Sequence, residues 1–142
     1  MRQWYVPAEC MCRQYLLGEH CEHHMFLGTL KKGRSVQTYI DKGFLVPKHL
    51  KDRHDELVKE MKSRGYNHKT PCEDACHLFD KEALEVKMTI SNFGKSMTDL
   101  LSRCEECYER SFNYFRKNFS FDDDLIRIIL EHWKEKGDGN IR

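Results

Sequence analysis

The sequence predicts an all-α protein, a single domain of about three long helices followed by a C-terminal helix. Two observations carry this. Apolar residues recur every three to five positions through four stretches, the period of a helix that buries one face, and no stretch shows the strict alternation of a half-buried strand. Helix punctuation falls at the ends of the same stretches: Pro7 and Pro47 sit where a first turn tolerates a missing N–H, and Gly33, Gly65 and Gly137 sit where a helix can end.

The first helix is expected from Ala8 to about Leu30, with Met11, Tyr15, Leu16, Cys21, Phe26 and Leu30 inward and Lys31, Lys32 and Gly33 as its stop. At roughly 23 residues it would be about 35 Å long, enough to cross the domain. A loop from Arg34 to Val46 leads to Pro47 and a second helix, whose inner face reads Leu50, His54, Leu57, Val58 and Met61 before Arg64 and Gly65 end it. Between Tyr66 and Lys95 the pattern weakens. Asn67, Pro71, Cys72, Asn92 and Gly94 interrupt it and leave room for a short helix within Asp80–Thr89. Ser96 and Asp99 resemble a capping box with Asp in place of Glu, opening a third helix with Met97, Leu100, Leu101, Cys104, Tyr108, Phe112 and Phe115 along one face. Asp122 to Asp124 suit the positive end of a last helix, with Leu125, Ile128, Ile129, His132 and Trp133 inward.

The chain has 142 residues, 39% of them hydrophobic and 33% charged, which fits one core and excludes collagen-like and membrane-spanning classes. Met1 to Cys12 carries no basic region leading into an apolar stretch and a small-residue cleavage site, so an intracellular protein without a membrane partner is expected. Seven cysteines lack the density of a secreted disulfide scaffold. The net charge of +1 hides an asymmetry: residues 1–72 carry 13 Lys and Arg against 8 Asp and Glu, whereas residues 73–142 carry 11 against 15. The basic half, with Lys31, Lys32, Arg34, Lys51, Lys62 and Arg64, is the candidate surface for a polyanion.

The densest chemical cluster is Gly18-Glu19-His20-Cys21-Glu22-His23-His24. Spacing of four places His20 and His24 on one helical face, with Glu22 roughly 160° away from either. Two imidazoles so placed can share a zinc ion with His54 or His68, or can hydrogen-bond to neighbouring helices. Hydrogen-bonded imidazoles are the expectation, with no metal and no cofactor. Cys72-x-x-x-Cys76 and Cys104-x-x-Cys107 also have zinc-ligand spacing, but the second pair lies inside a strong helical pattern, and packed reduced thiols are expected. No phosphate-binding glycine loop, nucleophile elbow or paired-carboxylate motif is present, which argues against nucleotide hydrolysis and serine-hydrolase chemistry.

Three stretches resemble a known family. Tyr15-Leu16-Leu17-Gly18-Glu19-His20-Cys21-Glu22 has a leucine-rich run before two glutamates spaced by three. Leu50-x-x-Arg53-x-x-Glu56-Leu57-x-x-Glu60-x-x-x-Arg64-Gly65-Tyr66-Asn67 follows, continued by His68-Lys69-Thr70-Pro71. Arg103-Cys104-Glu105-Glu106-Cys107-Tyr108-Glu109-Arg110 is a weaker third. Together they are similar to the pyrimidine-dimer DNA glycosylase family of phage endonuclease V-like enzymes, and closer to its bacterial branch. The resemblance covers about residues 1–112, leaving 113–142 as a helical extension.

The resemblance implies a DNA repair enzyme, a glycosylase with abasic-site lyase activity, acting on duplex DNA that carries a cyclobutane-dimer-like lesion. It implies that the N-terminal amine attacks C1′ of the damaged nucleotide's sugar, forms a Schiff base, and that the strand is then cut by β-elimination. An α-amine ordinarily titrates near about 7.7–8.0, so it supplies neutral nucleophile near neutral pH more readily than lysine does. By the same resemblance the nucleophile is the amine of Met1, retained because Arg2 is too large for efficient initiator removal, and the catalytic carboxylate is Glu22. Arg2, Gln14 and Lys95 match polar or basic residues that the family sets beside DNA. Glu19, His20, Cys21, His24, His54 and His68 are expected to support the site. The family carries arginines where this chain has Cys21 and Met25. Double-stranded DNA is thus the expected partner of a monomeric enzyme; the alternatives are a non-catalytic DNA- or partner-binding helical protein, or a His-based metal-dependent protein.

Overall fold

The helical period is realised along the chain. In a computed structural model that describes residues 1–137, regular structure is helical throughout: α1 (Arg13–Lys31), α2 (Gln37–Asp41), α3 (Leu50–Ser63), α4 (Lys81–Leu84), α5 (Ile90–Arg103), α6 (Glu105–Asn118) and α7 (Asp123–Lys136). No helix among the described residues is long and apolar enough to cross a membrane. The chain packs as two compact units. One is made of Met1–Tyr5 with Gln14–Thr89, the other of Val6–Arg13 with the chain from Ile90 onward.

The first unit holds α1 to α4 around Phe26, Leu27, Val36, Ile40, Leu45 and Leu50. The α1 helix starts later than the periodicity predicts. Ala8–Cys10 forms a 3₁₀ turn, Met11 is extended, and the α-helix opens at Arg13. The reason is burial on all sides: Val6, Ala8, Cys10, Met11 and Cys12 are all buried, which no single face of a helix could achieve. The buried face of α1 is Leu16, Glu19, His23, Phe26 and Leu27; Cys21, expected inward, lies about 140° from Leu16 and is exposed. A short α2 occupies the expected loop, seated by Val36 and Ile40 one turn apart. The inner face of α3 is as predicted, with Arg53 added to it, and Gly65 takes the left-handed φ of +84° that stops it. The expected short helix is α4, capped by Asp80, whose carboxylate accepts the N–H of Ala83 at 2.8 Å.

In the second unit α5, α6 and α7 pack on one another, and the 3₁₀ turn at Ala8 lies against α6. The predicted third helix is two helices. α5 begins at Ile90, so Asn92 and Gly94 lie within it, and Ser96 is buried in its interior rather than capping its start. It ends at Cys104, whose backbone is extended and whose Sγ accepts the Cys107 N–H at 3.2 Å, the task a serine oxygen usually performs at a helix N-terminus. The break re-phases the buried faces, Met97, Leu100 and Leu101 before it and Cys107, Tyr108 and Phe112 after it. In α7 the Asp122 cap forms, accepting from Leu125 N–H at 2.8 Å, but the buried residues are Ile126 and Leu130; Leu125, Ile128 and His132 face solvent. The thiols of Cys12, Cys104 and Cys107 cluster within 4.8 Å, none of the seven cysteines is in a disulfide, and burial pushes the Cys104 and Cys107 thiols up.

Candidate active site

The first five residues run along α1 because Gln3 pins them there. Its backbone N–H donates to the Phe44 carbonyl (2.6 Å), its Oε1 accepts the Val46 N–H (2.7 Å), and its Nε2 donates to Nε2 of His23 (3.0 Å). His23 in turn donates Nδ1–H to the Glu19 carbonyl at 2.8 Å, which fixes the tautomer that leaves Nε2 free to accept. Burial lowers the pKa of His23, keeping the ring in the neutral form this relay requires. Gln3 and His23 are 1% and 0% exposed, so the anchor is wholly internal.

The anchor delivers the terminus to Glu22. The Met1 amine lies 4.0 Å from Oε1 of Glu22, and the Arg2 backbone N–H donates to its Oε2 at 3.2 Å. The Met1 and Glu22 side chains are both partly exposed. The Arg2 guanidinium stacks over Trp4 (3.9 Å) and Phe44 (4.5 Å), and Trp4 meets Tyr15 edge-on. Beyond this strand Tyr5 holds φ +58°, a left-handed conformation that costs a bulky residue about 1–3 kcal/mol and persists only where its surroundings enforce it.

Glu19, one turn before Glu22 and about 60° from it around the α1 axis, turns instead toward α3. It forms a bidentate, fully buried ion pair with Arg53 of α3, at 2.6 and 2.9 Å, and Arg53 reaches Glu56 at 3.1 Å. Burial works against the charge on Arg53, but Glu19 outweighs it and the guanidinium pKa is raised. Glu19→Gln is therefore expected to destabilise the fold by about 3–5 kcal/mol, since it removes the buried bidentate counter-ion and leaves Arg53 paired with the exposed Glu56. Urea denaturation measures this, and a loss under about 1 kcal/mol would show the pair to be dispensable.

The expected DNA-facing residues separate into groups. Gln14, Lys32, Arg34 and Lys62 are exposed on the first unit, with no acidic partner for the three cations among the described residues. Lys31 pairs with Glu73 (3.0 Å), Lys51 with Asp55 (2.6 Å) and Arg64 with Glu60 (2.8 Å). Lys95 is exposed on α5 of the second unit. Cys21 is exposed beside Glu22 and makes no described bond to it.

His20, His24, His54 and His68 do come together, on the face of α1 turned away from Glu22 as the spacing predicts. Ring centroids lie 4.7–5.2 Å apart in five of their pairs. Burial and the neighbouring rings lower His20 to about 4, and burial likewise lowers His24 and His54. Gln3, His23 and Arg53 were not singled out from the sequence as site residues. A glutamine three residues from the terminus has no sequence signature, whereas the Glu19-Arg53 pair was detectable as one charge at an otherwise apolar position on each of two helices.

The model of one family, described as pyrimidine dimer DNA glycosylase, matches residues 1–74, just over half of the chain. No curated protein and no solved structure matches significantly. The matched segment contains the Met1 strand, Glu22, Glu19 and Arg53, and with that span the chain belongs to the pyrimidine dimer DNA glycosylase family.

Proposed function

We propose that the chain is a DNA glycosylase with abasic-site lyase activity on duplex DNA carrying a pyrimidine dimer, with the Met1 amine as nucleophile and Glu22 as the carboxylate that serves it. The observation that supports this most is the 4.0 Å approach of amine to carboxylate at the end of an anchored strand. The amine lone pair forms a bond to C1′ while the glycosidic bond breaks and its electrons leave with the base. The resulting secondary ammonium gives up one proton, and the freed nitrogen lone pair then forms the C=N bond as the C1′–O4′ bond breaks and O4′ takes up a proton, which gives the protonated Schiff base. Removal of a proton from C2′ then expels the 3′ phosphate, and water releases the amine. The Glu22 carboxylate faces the positive charge that develops on the sugar and is placed to carry protons in both transfers. No metal takes part in these steps.

The enzyme acts as a monomer on the duplex, with Arg2 and Gln14 beside the lesion, Lys31, Lys32, Arg34, Lys51, Lys62 and Arg64 on phosphates, and Lys95 a further phosphate contact. Each phosphate neutralised contributes about −0.9 to the slope of log K against log salt. Replacing Lys32, Arg34 and Lys62 together with alanine is expected to flatten the slope by about three units, read by anisotropy titrations of a labelled duplex. An unchanged slope moves the DNA surface elsewhere.

Borohydride trapping on a duplex with an abasic site tests the reaction. A reducible covalent adduct is expected. Duplex binding without an adduct would leave a non-catalytic DNA-binding protein.

A further inference from the structure

The four histidines on the far face of α1 have more order than packing requires. His20 and His24 project from α1, His54 from α3, and His68 from the segment that follows α3. One ring nitrogen from each lies within 4.8 Å of all the others. Nε2 of His54 and Nε2 of His24 are 3.0 Å apart, and Nδ1–H of His54 donates to Oδ1 of Asp55 at 3.0 Å. Asp55 is itself held by Lys51 at 2.6 Å. This fixes the His54 tautomer: the proton is on Nδ1, and the Nε2 lone pair points into the cluster.

A network of imidazoles bonded only to one another does not satisfy this arrangement. Nε2 of His20 and Nε2 of His68 are both buried and have no hydrogen-bond partner. A buried ring nitrogen that nothing answers has lost its bonds to water without replacing them. One ion at the centre would answer both.

We propose that His20, His24, His54 and His68 bind a single divalent transition-metal ion of the zinc type, with Asp55 as the carboxylate that orients His54. Four neutral nitrogen donors and no oxygen donor select zinc, cobalt, nickel or copper over magnesium or calcium. Tetrahedral zinc with Zn–N near 2.0–2.1 Å sets its nitrogens about 3.3 Å apart, close to the 3.0 Å already present between His24 and His54. Ring rotation closes the wider pairs. His24, which donates Nε2–H to His54 without the ion, carries that proton on Nδ1 with it, so this pair stays neutral. Four protein ligands close the coordination shell, so the ion is structural: it ties α1 to α3 and to the segment after α3 from behind, while Glu22 works on the opposite face.

The test uses full-length protein made without a polyhistidine tag. Elemental analysis is expected to find about one transition-metal ion per chain. Chelator-treated protein titrated with cobalt is expected to show the strong visible absorption of tetrahedral cobalt at one equivalent, and added zinc is expected to raise its Tm. Asp55→Asn changes an exposed side chain and leaves the four ligands in place; it is expected to weaken zinc affinity about 10–100-fold. His68→Gln is expected to abolish the tetrahedral cobalt spectrum. A featureless cobalt titration with no zinc-dependent change in Tm overturns the proposal, as does equal metal binding by the wild type and His68→Gln. Borohydride trapping at the N-terminus is read separately, so failure of the metal site leaves the glycosylase reading as it stood.

Discussion

One extra residue ahead of Met1 is expected to lower strand cleavage by several orders of magnitude. The added residue moves the amine by about 3.8 Å, whereas attack on C1′ needs the reacting atoms about 3–3.5 Å apart, and an error of about 1 Å can already cost 10²-fold. The strand cannot slide back to compensate, because Gln3 is held by three hydrogen bonds to Phe44, Val46 and His23. Acetylation of the amine should be equally damaging without any change in length, since it removes the lone pair. Peptide mass mapping of the reduced adduct should place it on Met1. Full activity in extended or acetylated protein, or an adduct on an internal lysine such as Lys31 or Lys69, would show that another nucleophile operates.

Glu22→Gln is expected to reduce turnover by at least about 10²-fold with the fold unchanged. The amide is nearly the same size, its oxygen can still accept the Arg2 N–H, and the side chain is partly exposed, so little stability is at stake. What it loses is the negative charge beside the amine and the capacity to take a proton. Single-turnover cleavage and urea denaturation, measured side by side, separate it from Glu19→Gln, which should lose stability instead. Turnover by Glu22→Gln at the wild-type rate would remove Glu22 from the mechanism.

The parts of this structure that were legible in the sequence are those written as local pattern. The inner face of α3, its stop at Gly65 and the Asp122 cap follow from spacing and punctuation over a few residues. So does the division of α1 into a Glu22 side and a histidine side, which is a matter of helical angle alone. What was not legible depended on distant partners. Met11 reads as helical until residues on α6 bury the strap around it, and Cys104 reads as one more apolar position until its thiol caps α6. In α7 the apolar positions fit more than one inward face, and packing against α5 and α6 chose Ile126 and Leu130. The Gln3 anchor joins side chain and backbone across 20 and 43 residues of chain, a contact with no periodic trace.

The strap from Val6 to Arg13 also decides when the protein can fold. Two of its long-range bonds run to α6: the Cys12 N–H donates to Cys107 Sγ, 95 residues on, and the Glu9 carbonyl accepts from Arg110, 101 residues on. A ribosome adding about 5–20 residues per second makes the strap on the order of 5–20 s before its partners exist. During that interval Val6, Ala8, Cys10, Met11 and Cys12, all buried in the folded protein, lack the later helices of their own unit and offer apolar surface to whatever is near. The chain must also close a loop of this length, a slow, non-local step. Synthesis and folding thus run in opposite order at this end of the molecule: the segment that follows Met1–Tyr5 is among the first made and among the last to be locked in place.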